Sequence, residues 1–233
     1  MVVLPSLAMT SPSHGTRRRR PVLVPVAAAL AAAGIGVTAA LGGLKEAPPE
    51  KPPHVTPGQV IDQGQFRTEF LEAVDTTEQG SFGVTRRYLE ILVKVTNLGK
   101  ETAFVGVLPK SGDMVSRTPG FAGSILRVTP AIKSKYDPLA SVVSYGIKSQ
   151  LLHPGITTTV VVKYELEPAQ QPPSSITVDV GKFVYERISD RHQTYYWQIV
   201  PKGELPTDAA SEGEFIIPAI AAQVSLPVRQ EQT

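Results

Sequence analysis

The 233-residue chain contains no cysteine. Disulfides, thiolate zinc sites, cysteine nucleophiles and lipid attachment through a lipobox cysteine are therefore excluded. The compartment stays open, because oxidising environments permit disulfides without requiring them. Histidine is scarce: of the four, His14 and His54 lie outside the region of strand-like pattern, which leaves His153 and His192. Neither has the i, i+4 partner of a helical zinc site, and HExxH does not occur. The G-x-S-x-G elbow is missing, and no signature places a histidine to activate Ser81 or Ser111. Both phosphate-cradling glycine patterns and the EF-hand loop are missing as well. Asp62 with Glu69, and Glu212 with Glu214, are acidic pairs of ordinary solvated character; glycoside hydrolysis needs two carboxylates held a few ångströms apart. The inventory names no catalytic residue, no metal ligand and no cofactor, and the expectation is a protein that is not an enzyme.

A basic body is lacking too. The formal charge of +2 is an average over unlike parts. Residues 1–44 hold Arg17, Arg18, Arg19 and Arg20 and no acidic residue, whereas residues 45–233 hold 19 basic and 21 acidic residues, a net −2. A near-neutral body has no electrostatic footprint for nucleic acid, so no nucleic-acid partner is expected.

What is present begins with an uncharged run of 24 residues, 21–44, rich in alanine and carrying Gly34, Gly36, Gly42 and Gly43. As a helix it would span about 36 Å, enough for a hydrocarbon core of about 30 Å. Small residues such as Ala31 and Gly34 would let a second membrane helix approach. The four arginines before it place residues 1–20 in the cytoplasm and the rest of the chain outside, by the positive-inside rule. A cleaved signal peptide, suggested by Ala-x-Ala triplets between Ala27 and Ala33, is one alternative. A twin-arginine export signal at Arg19-Arg20 is another, and both deliver the same domain to the same side. The expected partner of residues 21–44 is the lipid bilayer. Residues 45–57 follow with five prolines and interleaved charge, an extended spacer.

Beyond residue 57 the pattern has period two. Leu89, Ile91, Val93 and Val95 alternate with Tyr88, Glu90, Leu92 and Lys94, and Thr96-Asn97-Leu98-Gly99-Lys100 ends the run as a turn. The run resumes with Ala103, Val105 and Val107. Pro154-Gly155 introduces a second run with Val160, Val162, Tyr164 and Leu166 on one face. Ile176, Val178 and Val180 begin a third, continuing through Phe183 and Tyr185, and Tyr195, Trp197 and Ile199 make a fourth. Residues 66–74 and 124–129 are weaker strands. Short strands between Gly/Pro turns, with no helical spacing after residue 45, predict an all-β, immunoglobulin-like antiparallel sandwich over residues 58–200. In residues 215–228, Pro218 and Pro227 argue against a central strand, so residues 201–233 are expected to be an arm or an edge strand.

The Tyr88–Gly99 segment and the later Leu152-His153-Pro154-Gly155 followed by Thr157-Thr158-Thr159-Val160-Val161-Val162 resemble the telokin-like, immunoglobulin-type extracytoplasmic domains of bacterial surface proteins and lipoproteins. That resemblance covers roughly residues 60–185 and implies a fold and a location, without a general function. The chain departs from it in lacking a lipid-anchor cysteine and in carrying an N-terminal apolar run. From the alanine- and proline-rich composition, the expected source is a high-GC bacterium.

Alternation sends Tyr195 and Trp197 to one face and Tyr196 to the other, and the expected tryptophan is a core residue. Ser189-Asp190-Arg191-His192 is the expected hairpin tip between the Tyr185 and Tyr195 runs. Arg191, His192 and Tyr196 together form the candidate interaction surface, for a protein or a sugar. The functional expectation is a membrane-anchored extracytoplasmic interaction or scaffolding module with an envelope protein partner. A small-ligand or glycan-binding domain using residues 111–123 is the alternative, and an envelope hydrolase the third.

Overall fold

The strands form where the alternating rows stand. A computed structural model of the chain divides into two units, Met1–Glu50 and Lys51–Thr233. It describes residues 51–80, 83–110, 114–144, 147–167, 170–187, 193–203 and 215–231. The expected membrane run, residues 21–44, lies outside the described residues; within them no helix is long and apolar enough to cross a membrane.

The described strands are His54–Val55 (β1), Val60–Asp62 (β2), Phe66–Gln79 (β3), Thr85–Asn97 (β4), Ala103–Phe104 (β5), Val115–Ser116 (β6), Ile125–Thr129 (β7) and Leu139–Ser144 (β8). Ile147–Ser149 (β9), Leu151–Leu152 (β10), Thr157–Glu165 (β11), Ser175–Gly181 (β12), Phe183–Arg187 (β13), Tyr195–Ile199 (β14), Phe215–Ile216 (β15) and Ile220–Gln230 (β16) follow. The protein is an all-β sandwich. One layer holds β7, β12, β16 and β1, and the other holds β2, β3, β4, β11, β8 and β9. Three two-stranded ribbons, β5–β10, β6–β15 and β13–β14, are added to these layers.

The expected rows fill the core. Leu89, Ile91, Val93 and Val95 of β4, and Val160 and Val162 of β11, are fully buried against Ile176, Val178 and Val180 of β12. Phe66 meets Phe121 and Phe183 edge-on, with centroids 5.6 and 5.2 Å away. Two bulges change which residues point inward. In β3 the buried row runs Phe66, Thr68, Phe70 and then Ala73 and Asp75, because the register shifts between Phe70 and Glu72. In β12 a shift near Val180–Gly181 lets the even row of Ile176, Val178 and Val180 pass to odd-numbered Phe183.

Two expectations about chain ends are corrected. Residues 54–55, expected in the spacer, pair in parallel with Gln223 and Val224, so the sandwich begins earlier than residue 58. The C-terminal segment is neither arm nor edge strand. β16 pairs with β12 along residues 220–227, with β1 at Gln223–Val224 on its other side, and with β3 from Val228 onward. Ala222, Val224 and Leu226 are core residues. Pro227 is accommodated because it stands between the β1-paired and β3-paired stretches, where no donor to either is required of it. The tie between the two layers is therefore made by the last strand of the chain.

The registers also define two ends. Gln79 opposite Thr85 marks one, at the β3–β4 hairpin; Phe66 opposite Asn97 marks the other. Gly181 opposite Ile220, and Thr157 opposite Thr96, belong to the second end, which carries the β13–β14 ribbon. Lys51 and Pro52 lie there too, since the Pro53 carbonyl accepts from the Gln223 amide and β1 runs parallel to β16.

Candidate interaction surface

The β13–β14 ribbon starts one residue after β12, and its register decides what shares a face. Phe183 stands opposite Ile199, Tyr185 opposite Trp197 and Arg187 opposite Tyr195. These six side chains form one row, graded from core to solvent. Phe183 and Ile199 are buried, Trp197 is partly buried, and Tyr185 and Tyr195 are about half exposed, at 54% and 49%. The Tyr185 ring lies 5.2 Å from Trp197 and 5.6 Å from Tyr195, with planes 45° and 31° apart. Arg187 stands 5.8 Å over the Tyr195 ring, within cation–π range.

Trp197 seats the row on the sandwich. Gly64, at φ +86°, turns the chain between β2 and β3, and a methyl group there would stand 2.3 Å from the Phe183 carbonyl oxygen and 3.6 Å from the Trp197 ring. A side chain at this position is therefore excluded by both conformation and space. A methyl at Gly99 would stand 3.4 Å from Trp197 Nε1. The indole thus lies against the Gly64 and Gly99 turns. Gln63, next to Gly64, is fully buried and donates to Ser124 Oγ (2.9 Å) and to the Gly181 carbonyl (2.8 Å), while the Phe183 amide donates to the Gln63 carbonyl (2.7 Å).

The opposite face of the ribbon carries Val184, Glu186, Tyr196 and Gln198. Buried Gln198 accepts from Arg117 Nε (2.6 Å) and donates to the Glu186 carbonyl (2.8 Å), so the base of this face is covered by the β6 segment. Tyr196 remains 43% exposed beyond it. Of the three residues expected as an interaction surface, Tyr196 is therefore exposed but turned away from the aromatic row, and Arg191 and His192 lie outside the described residues. The surface that the fold does build is Tyr185, Tyr195, Trp197 and Arg187. Strand alternation pointed to Tyr195 with Trp197; the addition of Tyr185 and Arg187 depends on the strand register, which the connecting sequence of residues 188–194 does not fix because it holds none of the two-residue motifs that set a hairpin register.

The same end carries other exposed apolar residues. Phe104 is paired with Leu151 across β5–β10, and Leu98 and Ile156 sit in the turns bracketing them. Of the loop expected to serve a small ligand, residues 111–113 lie outside the described residues, and Phe121–Ser124 is a buried 3-10 turn in the core. Val107, expected to continue an inward row with Val105, is exposed because β5 ends at Phe104. His153 Nδ1 lies 3.1 Å from Thr102 Oγ1 in an exposed turn, Asp62 accepts from the Gly64 amide (2.8 Å), and Glu69 pairs with Lys94 (3.3 Å). Ser81, Ser111, Glu212 and Glu214 lie outside the described residues. Among the described residues, no three His, Asp or Glu side chains group as metal ligands. No protein-family profile and no curated protein matches this chain.

Proposed function

We propose that this chain is a membrane-anchored extracytoplasmic interaction module of the bacterial envelope, built on an immunoglobulin-like, telokin-like sandwich and docking through the aromatic row of its β13–β14 ribbon. The observation that carries this reading is the exposed row itself. Tyrosine, tryptophan and arginine are enriched at recognition surfaces because each combines a large contact area with a polar end. Here Trp197 fixes one end of the row in the sandwich while Tyr185, Tyr195 and Arg187 are left to solvent. The uncharged run of residues 21–44 supports the anchor, and the four preceding arginines support its orientation.

The two motifs that suggested the telokin-like reading lie in contact. The Asn97 carbonyl accepts from the Gly155 amide (2.8 Å), and Asn97 Nδ2 donates to the Leu152 carbonyl (2.8 Å). A glycan-binding reading is less favoured, because rings tilted by 31° and 45° offer no common flat face for a sugar.

Photo-crosslinking in cells tests the proposal. With Tyr195 replaced by a photoreactive phenylalanine analogue in the full-length chain, light should join it to a defined envelope component, protein or lipid. Yields equal to those from an analogue placed at exposed Val84 would remove the ribbon as a docking surface.

A further inference from the structure

We infer that the occupant of the aromatic row is the headgroup interface of an anionic bilayer, so that the module lies with its ribbon end on the membrane that anchors it. This names the partner of the surface proposed above and rests on that reading. Three independent observations lead to it.

Chain path comes first. The sandwich is entered at Lys51, at the end that carries the ribbon, because β1 runs parallel to β16 and begins beside its first residues. Only seven steps separate Leu44, the last residue of the apolar run, from Lys51; fully extended they cover about 25 Å. The ribbon end is thus the end closest along the chain to the anchor.

Chemistry comes second. Tyrosine and tryptophan concentrate at membrane–water interfaces because an apolar ring with one polar atom fits the headgroup level, and long basic side chains reach the phosphates. The row has this make-up, and the apolar residues around it (Leu98, Phe104, Leu151 and Ile156) are exposed at the same end. Such a set suits partial insertion, whereas the large exposed apolar residues at the opposite end are, among the described residues, Val84, Tyr136 and Leu139.

Charge comes third. Residues 181–203 hold four basic residues, Lys182, Arg187, Arg191 and Lys202, and two acidic ones, Glu186 and Asp190. This net +2 stands on a body whose total over residues 45–233 is −2. A basic excess in the ribbon complements an anionic leaflet, and its attraction falls with salt.

Trp197 is the only tryptophan, which makes it a native reporter within the row. The full-length chain is reconstituted into vesicles of phosphatidylcholine alone and with phosphatidylglycerol, each with or without a lipid spin-labelled near the headgroup. Quenching of Trp197 by the shallow label is expected in the anionic vesicles. It should fall at least twofold in Y185S/Y195S and at 0.5 M salt. Alkaline extraction of the same vesicles reports the anchor separately. Resistance to extraction with no shallow quenching overturns the membrane-facing ribbon and leaves the anchor standing. Extraction with quenching intact overturns the anchor and retains the ribbon's lipid contact. Extraction without quenching overturns both, and a Tyr195 crosslink in cells confined to protein, with no lipid adduct, overturns the lipid assignment.

Discussion

Asn97 is fully buried at the end of β4, and its amide group serves three backbone partners. Nδ2 donates to the Glu101 and Leu152 carbonyls, both at 2.8 Å, and Oδ1 accepts from the Gly99 amide at 2.9 Å. Removing the amide strands buried backbone groups, so N97A should lower stability by about 2–4 kcal/mol in urea unfolding. A loss under half a kcal/mol would mean that water replaces all three contacts. A second residue-scale effect depends on pH. Lys163 is lowered by burial, but its hydrogen bonds to Glu78 and Glu90 prevail and hold it above the ordinary lysine value. Its neighbour Tyr164 faces the core, and burial pushes its hydroxyl up. Both groups keep their protons to higher pH folded than unfolded. Stability is therefore whole below about pH 10, and is lost as pH rises through that range. The urea midpoint should stay level from pH 7 to about 9.5 and fall by pH 11, less steeply in Y164F. Equal slopes in Y164F and the unaltered chain would remove Tyr164 from the account.

Strands differ in how much the rest of the fold depends on them. β16 is paired on both sides and buries Ala222, Val224 and Leu226, so a chain ending at Pro218 loses the tie between the layers. That truncation should abolish cooperative unfolding and the near-ultraviolet circular dichroism signal; a folded truncated chain would return residues 219–233 to the status of an arm. The outer half of the β13–β14 ribbon behaves oppositely. Tyr185 and Tyr195 are about half exposed, and their contacts are with each other, Trp197 and Arg187. Y185S/Y195S should therefore cost no more than about 1–2 kcal/mol, the value of a cross-strand aromatic cluster at the surface. Thermal unfolding checks this, and a much larger loss would mark the row as part of the core.

On the scale of the whole molecule, residues 1–50 and 51–233 are separate units of the chain, and the proposed topology puts a membrane between their outer ends. Protease added to spheroplasts should digest residues 51–233 and spare an epitope tag placed before Arg17. Loss of the tag together with the domain would reverse the orientation assigned from the arginines, and release of an intact domain into the medium would favour a cleaved signal.

Period-two rows such as Leu89–Val95 and Val160–Leu166 were legible from sequence, because inward and outward residues must alternate on any strand that is buried on one face. The Asn97-Leu98-Gly99 and Pro154-Gly155 turns were legible for the same local reason. Pairing partners were not. Pro227 argued against a central strand, yet β16 is central, because the demand for a donor at one position depends on which neighbour lies there. The candidate surface divides in the same way. Tyr195 and Trp197 share a face by alternation alone, while Tyr185 and Arg187 join them only through the register set by Phe183 opposite Ile199. Sequence by itself thus determined the strand rows, the turns, the missing cysteine chemistry and the uncharged run, all properties of neighbouring residues. Tertiary structure decided which strands meet, which aromatic rings assemble and at which end the chain enters, because these depend on contacts between residues far apart in the chain.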